Sequence, residues 1–592
     1  MPEPRFLAVI DELPAVAGQF VVCLGRPANL TQRPLQLSDA QLLVLEKVDA
    51  AALSRIAGLD PKAMASGLVL VTTSAEHARN PRGVLCAQKL LTLLYVKYVE
   101  MPFHSTRIPD PLKLRPEDTP PEYLHLLHRY RNTPLHLRHN LVDKLEGQRV
   151  GLPCLLLLPG PSLRLLKEHL PELARRYLIV TLSRLLPLLR ECGVEPDVLV
   201  QLDTVPLQEH FHHPDEKFPR SVLLALSCAP VQTFAPRFRH TFFIDSFDLA
   251  LLPNPARLRE SWLSSLLACL GAVEALHAPQ ALLAGADLRL LNNATYYVER
   301  DDGQELPPYN APMSSASGAV ALADAKGRRA DTTLQFFATA AEAELFVQAI
   351  HAAQGTVFRN LSSLSLLDPD VCAPMSVDEA LAAPELDKAP FLAKTDRAAT
   401  LPEAVNLQAT RARYASDLKE AKHGRDLLTC LRVSAPEALG QHPCQRYVAA
   451  NMPWFRPSGA ENLTRLAVNL AEELCLQARF ARNVAALHCQ AAKGVALPVL
   501  CTAEEEMEIL PRLGRLRPDW SWRFLGIQAI EAGRPKPSSG SVELAALHDW
   551  IRFQDVLLLA PGCAREYHYA LSLIRGDNVL DLEQLLAYSP QC

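Results

Sequence analysis

Three short apolar runs, Cys154-Leu-Leu-Leu-Leu158, Leu178-Ile-Val-Thr-Leu182 and Val198-Leu-Val-Gln-Leu202, follow one another within residues 154–202, separated by stretches of helical spacing. Continuous apolar runs of this length suit strands buried on both faces, and strands alternating with helices build βαβ units whose sheet is parallel. The chain is thereby constrained to an α/β fold. In such sheets ligands gather beyond the carboxyl ends of the strands. The turn at Gly160, Ser183 and Asp203 all fall there.

The first strand breaks at Pro159-Gly160-Pro161-Ser162-Leu163 and runs into a helical pattern predicted over Arg164 to Tyr177. Gly160 tolerates close backbone approach, and Pro161 suits a first helical turn, where its missing N–H has no helical partner. Ser162 adds a hydroxyl and an amide at a helix start, where anions bind readily. The turn therefore reads as a nucleotide-phosphate site made by Gly160, Pro161, Ser162 and Leu163. The same residues would also serve an ordinary strand-to-helix connection, and short glycine motifs are common.

The second helix, Arg184 to Cys192, is expected to stop at Gly193 as a C-cap. His210, with His212, His213 and Asp215, follows closely after Asp203. Adjacent histidines before a proline are poorly spaced around one metal ion. His210 is a candidate pocket residue or general base, and a solvent-exposed loop is the plainer alternative. Asp203 and Asp287 both end apolar runs, where a carboxylate is costly to desolvate without a partner. Each is either a local cap or a ligand contact: Asp203 to a ribose hydroxyl or an attacking group, Asp287 to a sugar or a metal-bridged phosphate. Tyr296 and Tyr297 lie just beyond Asp287 and are packing or phosphate-reaching residues.

Over 592 residues, 49% apolar and 21% charged content is that of a globular chain with several domains. A formal charge of -5 gives no general attraction to nucleic acid. The start lacks a secretory pattern and no apolar run is long enough to span a membrane, so a cytoplasmic location is expected. The 14 cysteines are scattered singly, without a Cys-x-x-Cys pair, which predicts free buried thiols.

Boundaries follow from composition. Residues 1–124 read as an N-terminal α/β domain, with strands at Phe20–Leu24 and Leu68–Val71 and helices at Asp39–Lys47 and Gly83–Tyr98. Residues 125–385 form the Rossmann-like domain, which the helical run Glu122–Gly147 is expected to buttress. An Asp-, Pro- and Ala-rich stretch at 386–406 reads as a linker with short helices. Residues 407–592 form a helix-rich α/β module with long helices at Leu407–Cys430 and Gly459–Lys493. Its Val556–Ala560 run before Pro561-Gly562-Cys563 echoes the turn at Pro159, as an internal duplication or as a generic strand-to-helix join.

The ordered set Gly160-Pro-Ser-Leu163, Ser183, Gly193-Val-Glu-Pro-Asp197, Asp203, Ala281-Leu-Leu-Ala-Gly285-Ala-Asp287-Leu288, Thr332-Thr333 and Asn360-Leu-Ser362 resembles the motility-associated factor family of flagellin glycosylation. That family's central domain is similar to bacterial sialyltransferases and to archaeal 6-hydroxymethylpterin diphosphokinase. The resemblance departs at Leu158 and Pro159, where the family has Gly-x, and at 260–265 and 363–368, where a Gly-Ser pair and a glycine-rich continuation are absent.

The resemblance implies a glycosyltransferase that passes a nonulosonic, sialic-acid-like sugar from a CMP-activated donor to Ser or Thr of flagellin or another surface protein. It places Gly160 to Leu163, Ser183, Gly285 and Asp287 at the nucleotide and Asp203 and His210 at the acceptor. No resident cofactor is assigned, and a divalent metal is left open. The alternatives are a nucleotide-binding scaffold in surface-glycan assembly, suggested by the altered turn, and a pterin-alcohol diphosphokinase using ATP and Mg²⁺.

Overall fold

A computed structural model describes residues 5–6, 10–13, 18–30, 41–64, 67–96, 127–137, 141–202, 216–244, 264–290, 320–323, 329–362, 364–400, 407–431, 460–527, 537–539, 541–542, 556–566 and 578–586. The chain is α/β throughout, with three parallel sheets of four, eight and five strands and a separate two-stranded hairpin among the described residues.

The N-terminal sheet runs β1-β4-β2-β3, from Arg5–Phe6, Phe20–Leu24, Leu42–Leu45 and Leu68–Thr72. Residues 42–45, expected within a helix, are strand β3 paired with β2. Leucine's helix propensity is a weak preference, and four consecutive apolar residues are better covered as an edge beside Val21 to Leu24. The helix Pro81–Tyr95 packs across this sheet, capped by the Asn80 side chain.

The central sheet comprises β5 Cys154–Leu157, β6 Leu178–Leu182, β7 Val198–Gln201, β8 Phe218–Ala225, β9 Phe238–Phe243 and β10 Gln280–Ala284. After the antiparallel hairpin β11–β12 (Val320–Ala323 and Arg329–Thr332) it continues with β13 Val357–Asn360 and β14 Ala373–Pro374. The order is β14-β13-β10-β5-β6-β7-β8-β9. The first five strands therefore spread one way from β5, and the last three the other way from β10. Strand order reverses between the parallel neighbours β5 and β10, the topological switch point.

Alternation sets the two faces. Cys154, Leu156, Leu178, Val180, Val198 and Val200 pack with the helices Ser265–Leu276 and Leu334–Gln354. Leu155, Leu157, Ile179, Leu282 and Ala284 pack on the opposite face against the segment Pro161–Leu173.

A helix is present in the expected linker, Ala389–Thr400, but it is part of the domain: its Phe391 and Ala398 are buried in the same core as β5 to β7. Its charged and Ala-rich surface hid two anchoring apolar residues. The run expected to buttress the central domain does so through Val142 and Leu145, while its segment 127–137 bridges two domains. Tyr130 and Leu137 join the C-terminal core, where Tyr130 meets Tyr414 edge-on at 6.3 Å. Asn132 Nδ2 donates to the carbonyls of Ser227 (2.8 Å) and Ala229 (2.7 Å) in the central domain.

The long helices Leu407–Leu431 and Ala460–Ala492 pack against each other beside a second doubly wound sheet. Its strands are β15 Leu497–Leu500, β16 Trp522–Ile527, β17 Ser541–Val542, β18 Leu557–Leu559 and β19 Val579–Asp581, in the order β17-β16-β15-β18-β19. The eleven described cysteines are free, and burial pushes Cys23, Cys269, Cys372 and Cys501 up to about 12.

The N-terminal and central domains are locked by Lys89, 1% exposed. Its ammonium donates to Glu344 and, at 2.7 Å, to the Leu366 carbonyl. Burial pushes the Glu344 carboxyl up against the pull of Lys89, and Glu344 also accepts the Asp368 amide at 2.7 Å. Arg82 adds pairs to Asp368 (2.8 Å) and Asp370.

Candidate functional site

Two turns meet at the central switch point. β5 delivers Leu158 to Leu163, and β10 delivers Gly285 to Leu288. They approach so closely that a Cβ on Gly160 would stand 2.2 Å from the Gly285 carbonyl oxygen, and one on Gly285 would stand 2.0 Å from that of Leu158. Gly285 also has φ +70°, and Leu288 adopts φ +54°, a region costly for a branched side chain. The Leu288 carbonyl is held by the Thr332 hydroxyl at 2.7 Å.

Asp287 lies in the middle, 1% exposed. Its Oδ2 accepts the Ser162 amide at 2.7 Å and its Oδ1 accepts the Ser162 hydroxyl at 2.6 Å. The Ser362 hydroxyl donates to the same Oδ1 and sits 2.8 Å from Ser162 Oγ. Ser362 follows β13 and had only been part of a motif, Asn360-Leu-Ser362. Its position third in that motif was the available signal.

The segment after Ser362 wraps the Asp287 turn. Ser365 Oγ donates to the Ala286 carbonyl (2.7 Å), and the Leu366 amide donates to the Asp287 carbonyl (3.1 Å).

The amides of residues 160–163, expected to face a ligand phosphate, have internal acceptors in this structure. The Gly160 amide donates to Gly285 O (3.0 Å), Pro161 has none, the Ser162 amide is held by Asp287, and the Leu163 amide donates to Gly160 O (3.0 Å). The cause is the pairing of two tight turns across adjacent strands, which satisfies every buried donor internally. The helix expected over 164–177 is a 3₁₀ segment, Pro161–His169, followed by a short α-turn, Leu170–Leu173. Pro171 removes the amide that a continuous α-helix would need there.

Ser183 is buried at the carboxyl end of β6, the neighbour of β5. Gly160, Pro161, Ser162, Leu163, Gly285 and Asp287 are thus brought together, with Ser183 one strand away. Asp203 and His210, and likewise Tyr296 and Tyr297, lie outside the described residues. Among the described residues no group of three His, Cys, Asp or Glu could hold a metal ion, and no helix is long and apolar enough to cross a membrane.

Other motif residues serve the opposite end of the sheet. Gly193 has φ +65°, ending the Leu186–Glu191 helix as expected. Asp197, ahead of β7, accepts the Ile179 amide (2.8 Å) and the Lys388 ammonium (2.5 Å). Glu195 accepts the Arg220 amide and the Ser221 hydroxyl, each at 3.0 Å. These carboxylates brace strand starts.

No family model matches the chain, and no curated protein matches it. Among solved structures it is similar to the MAf glycosyltransferase from Magnetospirillum magneticum AMB-1, at 13% identity over 79% of each chain, with a TM-score of 0.37.

Proposed function

We propose that this chain is a glycosyltransferase of the motility-associated factor type. It would pass a nonulosonic sugar from a CMP-activated donor to Ser or Thr of flagellin or another surface protein. The observation that supports the reading is the convergence of motif residues from three separate segments, Gly160 to Ser162, Gly285 to Asp287 and Ser362, at the switch point of a doubly wound sheet. That is the position where such sheets take nucleotides.

In this reading Asp287 holds the Ser162 turn until a donor arrives. A phosphate reaches the Ser162 amide and hydroxyl only by displacing the carboxylate, since two anions cannot share those donors. The acceptor base is assigned to Asp203 or His210 from the resemblance. Calorimetry with CMP and a CMP-sugar tests the reading. Binding by the unmodified chain, weakened at least about tenfold (~1.4 kcal/mol) by Ser162→Ala, supports it; no binding of either ligand overturns it.

A second reading, a nucleotide-binding scaffold without turnover, is favoured by the internal use of the turn amides and by the buried Leu158. CMP binding together with absent transfer across an acceptor screen selects it over the first.

A further inference from the structure

Strand order in the C-terminal sheet also reverses, between β15 and β18, and one strand further on, against β18 and β19, lies a cavity of about 210 Å³. It is lined by Leu559 at the end of β18 and by β19 from Val579 to Asp581, and is walled by the Ala460–Ala492 helix through Gln477, Arg479 and Phe480. Gln584 closes the far side.

Three polar side chains, Gln477, Arg479 and Gln584, line this space with no hydrogen-bond or ion-pair partner among the described residues. Arg479 is half-buried. The acid in the lining, Asp581, is turned to the Glu583 amide, which it accepts at 2.9 Å. A guanidinium that lines a cavity with no carboxylate paired to it is a ready partner for an anion. Two amides supply donors and acceptors for hydroxyls, and Phe480, Leu559 and Leu580 give an apolar floor. The volume falls below the roughly 300–1,000 Å³ of drug-sized sites and suits one ring.

We infer that this cavity is a second ligand site, for a small hydroxylated anion: a single sugar ring carrying a carboxylate or a phosphate. It goes beyond the central site and does not depend on it. Arg479 takes the anionic group, and Gln477 and Gln584 take ring hydroxyls.

The test uses calorimetry on the full chain with glucuronate, gluconate, glucose 1-phosphate and neutral glucose. At least one of the three anions is expected to bind, with glucose at least ten times weaker. Comparing glucuronate with glucose 1-phosphate tells carboxylate from phosphate. Arg479→Gln is expected to weaken the anion at least tenfold, and Gln584→Ala, an exposed change, severalfold, with the thermal midpoint of both variants unchanged. Ser162→Ala should leave this binding intact. The inference is overturned by no binding of any of the three anions, by anion binding indifferent to both Arg479→Gln and Gln584→Ala, or by loss of binding in Ser162→Ala.

Discussion

At the central switch point an acid from the β10 turn closes the β5 turn, whereas at the C-terminal one the acid comes from the helix after β15. There Glu505, in a capping box with Thr502, accepts the Gly562 amide in the turn after β18. Both sheets thus place a carboxylate on a strand-Pro-Gly turn, but with roles exchanged. In the central sheet the glycine turn follows the first strand, β5; in the C-terminal sheet it follows β18, across the reversal. A simple tandem duplication would have kept those positions. The comparison teaches that in each sheet the turn amide already has a carboxylate acceptor, which an incoming anion would have to displace. In the C-terminal sheet the open space lies one strand further on, between β18 and β19.

The sharpest way to break the comparison is to add one methyl group to each turn. Gly160→Ala drives a Cβ into the backbone oxygen of Gly285 and the Asp287 carboxylate, and is expected to cost about 3 kcal/mol or more. Gly562→Ala meets only the end of the Glu505 side chain, at 2.6 Å, which can swing away, for about 1 kcal/mol. Denaturant unfolding, with hydrogen exchange assigning the loss to each sheet, checks the ranking. Equal costs would mean the two turns are equally tight.

Next come the acids. Asp287→Ala leaves two hydroxyls and an amide without their acceptor, an expected loss of about 2–3 kcal/mol. Glu505→Ala removes one cap and one turn contact, for about 1 kcal/mol. In binding, Asp287→Asn is expected to strengthen CMP severalfold in calorimetry, because the competing charge is gone. Weaker binding would instead make Asp287 a ligand contact.

The smallest effect is acid loosening of the central sheet edge. Hydrogen bonding from Arg239, then from His240, lowers Asp396 to about 2. Its folded value is depressed, so its contribution is present above the unfolded value of ~4 and is lost as pH falls toward 2. Amide exchange in β9 is expected to rise within that window. The pair is partly exposed, so the change should be modest.

The apolar runs 154–158, 178–182, 198–202 and 281–284 made the central sheet legible, because strands buried on both faces read as near-continuous apolar runs, broken here only by Thr181 and Gln201. Leu42–Leu45 misled, since four apolar residues fit either a helix stripe or an edge strand. The polar surface of 386–400 concealed Phe391 and Ala398 for the same local reason. The meeting of Ser162, Asp287 and Ser362 was legible as motif order but not as contact. What seals the turn is the Gly285 carbonyl and a side chain 125 positions away, and no local pattern encodes that pairing.

The Lys89 lock has a consequence for biosynthesis. Its anion, Glu344, lies 255 positions later in the chain, so the ribosome releases the first domain long before the charge can be neutralised. Until then Leu93 and Val96, which finally pack on Leu334, Ala338 and Ala341, stay wet beside a hydrated ammonium. The nascent N-terminal unit therefore carries an uncovered apolar helix face until residues 334–344 have been made.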